Sequence, residues 1–200
     1  MRTLLWILII CVSVFSDGAM ANDEGLDFQL QVAGNNRPEI QKALDLIPPE
    51  QKEGMRFLVR HMQEQDLQTL TSEFLIENTR LAYQARERAA WKIPDDLFLN
   101  YVLPYSNVDE ERDPWRKELF DLSAPIVVDC TTTTCATQNL NQLLFQKVGV
   151  QYSTKRKKAN QSPKESIDQG LASCTGLSIL LVDACRSVGV PARLVGIPSW

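Results

Sequence analysis

The stretch "GLASCTGLSILLVDACRSVGVPAR", Gly170 to Arg193, decides how the rest of the chain is read. From Cys174 onward, Leu177, Leu180, Leu181, Ala184, Cys185 and Val188 recur at the spacing of one helix face turned to a core. Gly189 is placed for the left-handed position that closes a helix, and Pro191 prevents continuation. "ARLVGIPSW" after it reads as a buried strand, so the stretch predicts an αβ unit. Cys174 falls in the first turn, where unpaired N–H groups and the helix dipole favour an anion. Thiols so placed titrate at about 3.5–7.5 when a cation is also near. Gly170, Ala172 and Ser173 are small and leave room for a substrate, and the helix start can offer backbone N–H groups to an oxyanion. The chemistry this suits is acyl transfer through a thioester. The same spacing also fits a cysteine that is only a small buried hydrophobe, the reading that suits Cys185.

Immediately upstream, "SPKES" has capping-box spacing: Ser162 as cap, Pro163 at the first helical position and Glu165 at the third. Before it, "TKRKKANQ" is a basic loop, read as a solvated surface turn in preference to a binding patch. "TTTTCATQNLNQLLFQKVGVQYS" predicts a threonine-capped helix to about Lys147, striped by Ala136, Leu140, Leu143, Leu144 and Val148. A short strand is expected over 150–152. The region from Arg37 to Trp91 reads as helices. One has Ile40, Ala43, Leu44 and Ile47 on a face, and a second restarts at "PPE" with Met55, Leu58, Val59 and Met62, beside which lies His61. A third, capped by Thr71 or Ser72, carries Phe74, Leu75, Leu81 and Ala82. From Lys92 to Asp121, X-Pro turns with mixed aromatic and charged residues predict short packed helices and loops, while residues 22–37 read as a loose polar lead-in.

With 200 residues and 44% hydrophobic content, the chain holds one medium domain, or a small domain with a helical extension. A net charge of −4 argues against nucleic acid as the main partner. The opening "MRTLLWILIICVSVFSDGAMAND" has a positive start at Arg2, an apolar run from Leu4 to Phe15 and the small-residue pattern Ala19-Met20-Ala21. It reads as a signal peptide, residues 1–21, cut after Ala21, giving an exported protein with no stable membrane insertion after cleavage. A lipoprotein anchor at Cys11 is disfavoured by the bulky Ile10, and an uncleaved anchor is a further alternative. Export permits disulfides, and the remaining Cys130, Cys135, Cys174 and Cys185 allow three full pairings. Cys130 and Cys135 are close enough for a local bridge, but two free thiols are the favoured reading. Zinc is weaker, because no second histidine or paired CxxC accompanies them. No cofactor and no metal are expected.

"SCTGLSILLVDACRSVGVPARLVG" resembles the nucleophile helix of the transglutaminase-like superfamily, in which a cysteine opens a helix ending in arginine, a Gly-aliphatic-Pro-Ala-Arg turn and a core strand. Arg186, Gly189, Pro191, Ala192 and Arg193 match. Ala172 departs from the glycine that many members carry two before the cysteine, a small-for-small change. "ATQNLNQLLFQKVGVQYS" resembles the preceding helix and its aliphatic-x-Tyr strand. "ENTRLAYQARERAAW", "IPDDLFLNYVLPY" and "DPWRKELF" resemble the helical region found before this core in a subset of secreted bacterial members. There Tyr105, Asn107, Glu110 and Arg116 read as packing and loop contacts in preference to cleft-lining groups.

The resemblance implies an α+β fold: a helical region over 22–120, followed over 121–200 by the N-terminal part of a papain-like core. It implies a Cys-His-Asp triad in that chain order, with Cys174 as nucleophile on a protein or peptide substrate. The histidine and aspartate belong to strands following the nucleophile helix, expected beyond Trp200. His61 precedes the cysteine and is a poor substitute. The chain is therefore expected to be the front part of a longer product, inactive by itself. The alternative is a non-catalytic binding or scaffold protein that keeps the cleft for recognition. Oligomeric state, substrate identity and the balance of hydrolysis against cross-linking are left open.

Overall fold

The computed structural model describes residues 17–196. Its first half is helical: α1 (Asp17–Val32), α2 (Arg37–Leu46), α3 (Lys52–Arg60), α4 (Glu64–Thr69), α5 (Ser72–Arg88) and α6 (Asp95–Tyr101). Thr71 caps α5 by accepting from the Phe74 amide at 3.2 Å. Ile40, Met55, Leu67, Leu75 and Phe98, all essentially buried, form the centre of one apolar cluster. The expected loose lead-in over 22–37 is instead most of α1. Leu26, Leu30 and Ala33 recur on one face and join that same cluster, which holds the otherwise polar segment as a helix. Most of the expected signal peptide lies outside the described residues, and the cleavage expected after Ala21 falls inside α1. No described helix is long and apolar enough to cross a membrane.

The second half comprises α7 (Arg116–Val127), α8 (Thr133–Val148), β1 (Gln151–Tyr152), α9 (Pro163–Gln169), β2 (Leu171–Ala172) and α10 (Cys174–Ser187). The two strands pair in parallel, Gln151 opposite Leu171 and Tyr152 opposite Ala172, making this an α+β fold with a helical majority. Thr132 caps α8, and Ser162 with Glu165 completes the capping box of α9. The stripe of α10 packs on α7 and α8: Leu180 and Ala184 meet Leu119, Leu144 and Val150, while Cys185 and Val188 meet Ala136, Leu140 and Val190. Truncating a fully buried leucine such as Leu180 to alanine costs about 2–5 kcal/mol. Two expectations change here. Leu143, counted on the α8 stripe, is 47% exposed. Residues 191–196 are irregular where a strand is expected, because a strand exists only through a ladder with its neighbour and they form no such ladder among the described residues. Residues 197–200 lie outside the described residues. Cys130 and Cys135 form a disulfide that joins the end of α7 to the start of α8, which corrects the favoured reading of two free thiols there, because the turn between the helices brings the sulfurs together.

The two halves interlock at the end of α10. Gly189 adopts φ +79°, and an added Cβ would lie 2.8 Å from the Ala85 carbonyl oxygen on α5, so both the turn and the close approach require glycine. The Trp91 indole donates to the Gly189 carbonyl at 2.8 Å, and the Ala192 amide to the Tyr101 carbonyl at 3.0 Å.

Candidate functional site

Cys174 is the first residue of α10 and is exposed, the thiol unbonded to another cysteine. Ser173 is the N-cap and accepts from the Gly176 amide at 2.9 Å. Its hydroxyl donates to the Ala159 carbonyl at 2.5 Å, and its amide donates to the Gln161 side chain at 3.3 Å. Gln161 is fully buried and donates its own amide to the Leu171 carbonyl at 2.9 Å, so one side chain ties β2 to the cap. Gly176 fits closely beneath: a Cβ there would meet Ala172 at 3.2 Å and Gln161 at 3.4 Å. The amides of Cys174 and Thr175 occupy the first two helical positions, where no intrahelical acceptor exists. An exposed thiol thus stands beside two N–H groups free to face an oxyanion, on a helix end fixed from three directions.

Farther along α10 lies a buried polar cluster. Arg186 donates to the carbonyls of Ala192 at 3.1 Å and Ser106 at 2.9 Å, and lies 3.5 Å from Asp183. Asp183 accepts from the Asn107 side-chain amide at 2.9 Å. Arg116 donates to Asn78 at 2.5 Å and to the carbonyls of Val102 and Leu103, both at 2.7 Å. Burial raises the Asp183 carboxyl to about 7, an effect that Arg186 and the Asn107 hydrogen bond only partly offset. Burial also lowers Arg116 to about 9, helped by the neighbouring Arg186 charge, and it remains cationic at pH 7. A second buried group joins α4 to the same loop: Asp66 accepts from Tyr105 at 2.9 Å and from Arg112 at 3.0 Å, and Glu110 accepts from the Asn107 and Val108 amides. Desolvation raises the Tyr105 hydroxyl. Tyr105, Asn107, Glu110 and Arg116 are thus packing and loop contacts: Asn107 bonds α10 directly, and the other three hold the 102–112 loop on which Arg186 is anchored.

Cys185 is buried, and desolvation pushes its thiol up to about 12. His61 closes α3, its ring 4.2 Å from Phe57 and its Nδ1 2.8 Å from the Phe57 carbonyl; none of its hydrogen bonds or ring contacts among the described residues reaches α10. The structure therefore does not bring His61 to Cys174. No group of three or more His, Cys, Asp or Glu suited to a metal occurs among the described residues. Sequence reasoning missed Gln161 and Asp183. Gln161 carries no local signal, being one polar residue at the end of a polar loop. Asp183 does carry one: it sits a single step from the apolar stripe, three residues from Arg186.

Residues 121–199 match the family model of the transglutaminase-like superfamily. No curated protein and no solved structure matches the chain.

Proposed function

Since residues 121–199 are a transglutaminase-like superfamily segment, we propose that Cys174 is the nucleophile of an exported acyl-transfer enzyme acting on protein or peptide amides. The observation that carries this reading is the exposed thiol at the first position of a helix whose cap is held by Gln161 and Ala159. The thiolate attacks the amide carbon, and the new oxyanion is met by the Cys174 and Thr175 amides. Collapse breaks the C–N bond, the amine leaves with the proton taken from the thiol, and a thioester remains. Water then gives hydrolysis, or a second amine gives a cross-link. The proton carrier belongs, by the resemblance, to strands that follow α10; His61, held at the end of α3, is not proposed for it. Residues 22–120 act as a brace for the segment over 121–200, through Tyr105, Asn107, Glu110 and Arg116.

The test is to incubate the exported protein, as its own cell makes it, with a glutamine-containing peptide and a fluorescent primary amine. Intact mass should reveal an acyl adduct lost in Cys174→Ser, together with product from amine or water. A Cys174→Ser variant that keeps turnover would sink the proposal. An unacylated Cys174 with unchanged ligand binding in Cys174→Ser would instead favour the non-catalytic scaffold.

A further inference from the structure

The basic run that the sequence presents as a solvated turn has both ends fastened beside Cys174. The Ser153 amide donates to the Ala172 carbonyl at 2.9 Å, and Ser173 donates to the Ala159 carbonyl at 2.5 Å. Between these pins lie Lys155, Arg156, Lys157 and Lys158. A chain pinned at both ends and spanning about 3.3–3.6 Å per residue cannot carry its middle farther than about 10–12 Å from the pins. That distance is close to the screening length of about 8–10 Å at physiological salt, so the backbone of the basic run stays within about one screening length of Ala172 and Ser173, beside which Cys174 stands.

Of the acids nearby, only Glu165 is ion-paired with the run among the described residues, through Lys158. Glu165 pairs with Lys158 at 2.9 Å, and Asp168 pairs with Lys164 at 3.0 Å. Asp113 accepts from the Lys164 amide at 2.9 Å, and Asp109 accepts from Asn160. Lys155, Arg156 and Lys157 make no ion pair among the described residues, in a chain whose overall charge is −4. Tyr152, 60% exposed and opposite Ala172, adds an apolar face at the base of the loop.

We propose that residues 153–159 form the selecting rim of the Cys174 site, favouring peptides that carry carboxylates beside the reacting amide. The proposal rests on the reading of Cys174 as nucleophile, but its electrostatic part is measured separately. The probes are iodoacetate and iodoacetamide, which alkylate the same thiolate and differ in one negative charge. Their rate ratio cancels any change in thiolate fraction. Mapped at Cys174, the ratio should exceed that of a small free thiol by about fivefold at 10 mM ionic strength and fall toward it at 0.5 M. The triple variant Lys155→Gln, Arg156→Gln, Lys157→Gln should lose the excess at low salt. A wild-type ratio equal to that of the free thiol at low salt overturns the rim, as does a folded triple variant that keeps the excess. The salt series on the wild type decides the matter even if the variant does not fold. Slow reaction with both reagents and an intact excess would support the rim while sinking the nucleophile reading.

Discussion

Two thiols on one helix show how far position governs chemistry. Cys174 and Cys185 lie about three turns apart on α10, yet the first is exposed at the helix start and the second is packed among Ala136, Leu140 and Val188. Around Cys174, polar groups are arranged so that two amides remain free. Around Cys185, even the charged neighbours Asp183 and Arg186 are enclosed. The amino end of α10 offers a reagent; the carboxyl end anchors it to the other half of the molecule.

The contrast is broken most directly by alkylation. At pH 7 a thiol that titrates near 12 is ionised to only about one part in 10⁵, so native Cys174 should react with iodoacetamide at least ~10³-fold faster than Cys185. Peptide mapping measures both rates, and comparable rates would erase the distinction. In strong denaturant the gap should close.

The anchoring end is probed by Arg186→Met. It removes a guanidinium bonded to Ser106 and Ala192 and leaves Asp183 without its cation, at a cost of about 3–5 kcal/mol in urea unfolding. A loss below about 1 kcal/mol would mean that the anchor is ornamental.

Asp183 sharpens the same end through pH. Its carboxyl is raised in the folded state, so its contribution to stability is complete below the unfolded value near 3.8 and disappears as pH rises through about 7. Between pH 4 and 8 the wild type should lose roughly 2–4 kcal/mol from this group. Asp183→Asn keeps a neutral acceptor for Asn107 and should flatten that slope. An unchanged slope would place the titration elsewhere.

The smallest effect belongs to the reactive end. Ser173→Ala removes the cap and should cost about 1 kcal/mol while slowing Cys174 alkylation. Cys174→Ser should leave the melting temperature almost unchanged, since the side chain it alters is exposed.

What was legible in the sequence is what depends on neighbours within a turn or two. The α10 stripe, the Gly189 stop, the Ser162–Glu165 capping box and the threonine-capped α8 all rest on contacts between residues close in the chain. Cys174 could be singled out for the same reason. What escaped depends on distant partners. The polar α1 becomes a helix because Leu26 and Leu30 find the cluster built by α2 to α5. Asp183 and Arg186 are buried only because Asn107 and Ser106 arrive from far upstream. The stretch after Arg193 has strand composition, but composition cannot supply a pairing partner. The Cys130–Cys135 bridge escaped for a related reason: spacing permits it, and only the turn between α7 and α8 brings the sulfurs together.

The Arg186 clasp also sets a schedule for biosynthesis. Its acceptor at Ser106 precedes it by 80 residues, so a ribosome adding about 5–20 residues per second exposes the carbonyl roughly 4–16 s before the guanidinium that will use it. During that interval the loop around Pro104 to Arg112 can fasten to Asp66 of α4 but waits for its partner on α10, and α7 and α8 have no third helix to close on. The upstream helices therefore serve the nascent chain as a waiting template. A piece cut to begin at residue 121 would keep the Arg186 bond to Ala192 but lose the partners that Ser106 and Asn107 supply to Arg186 and Asp183.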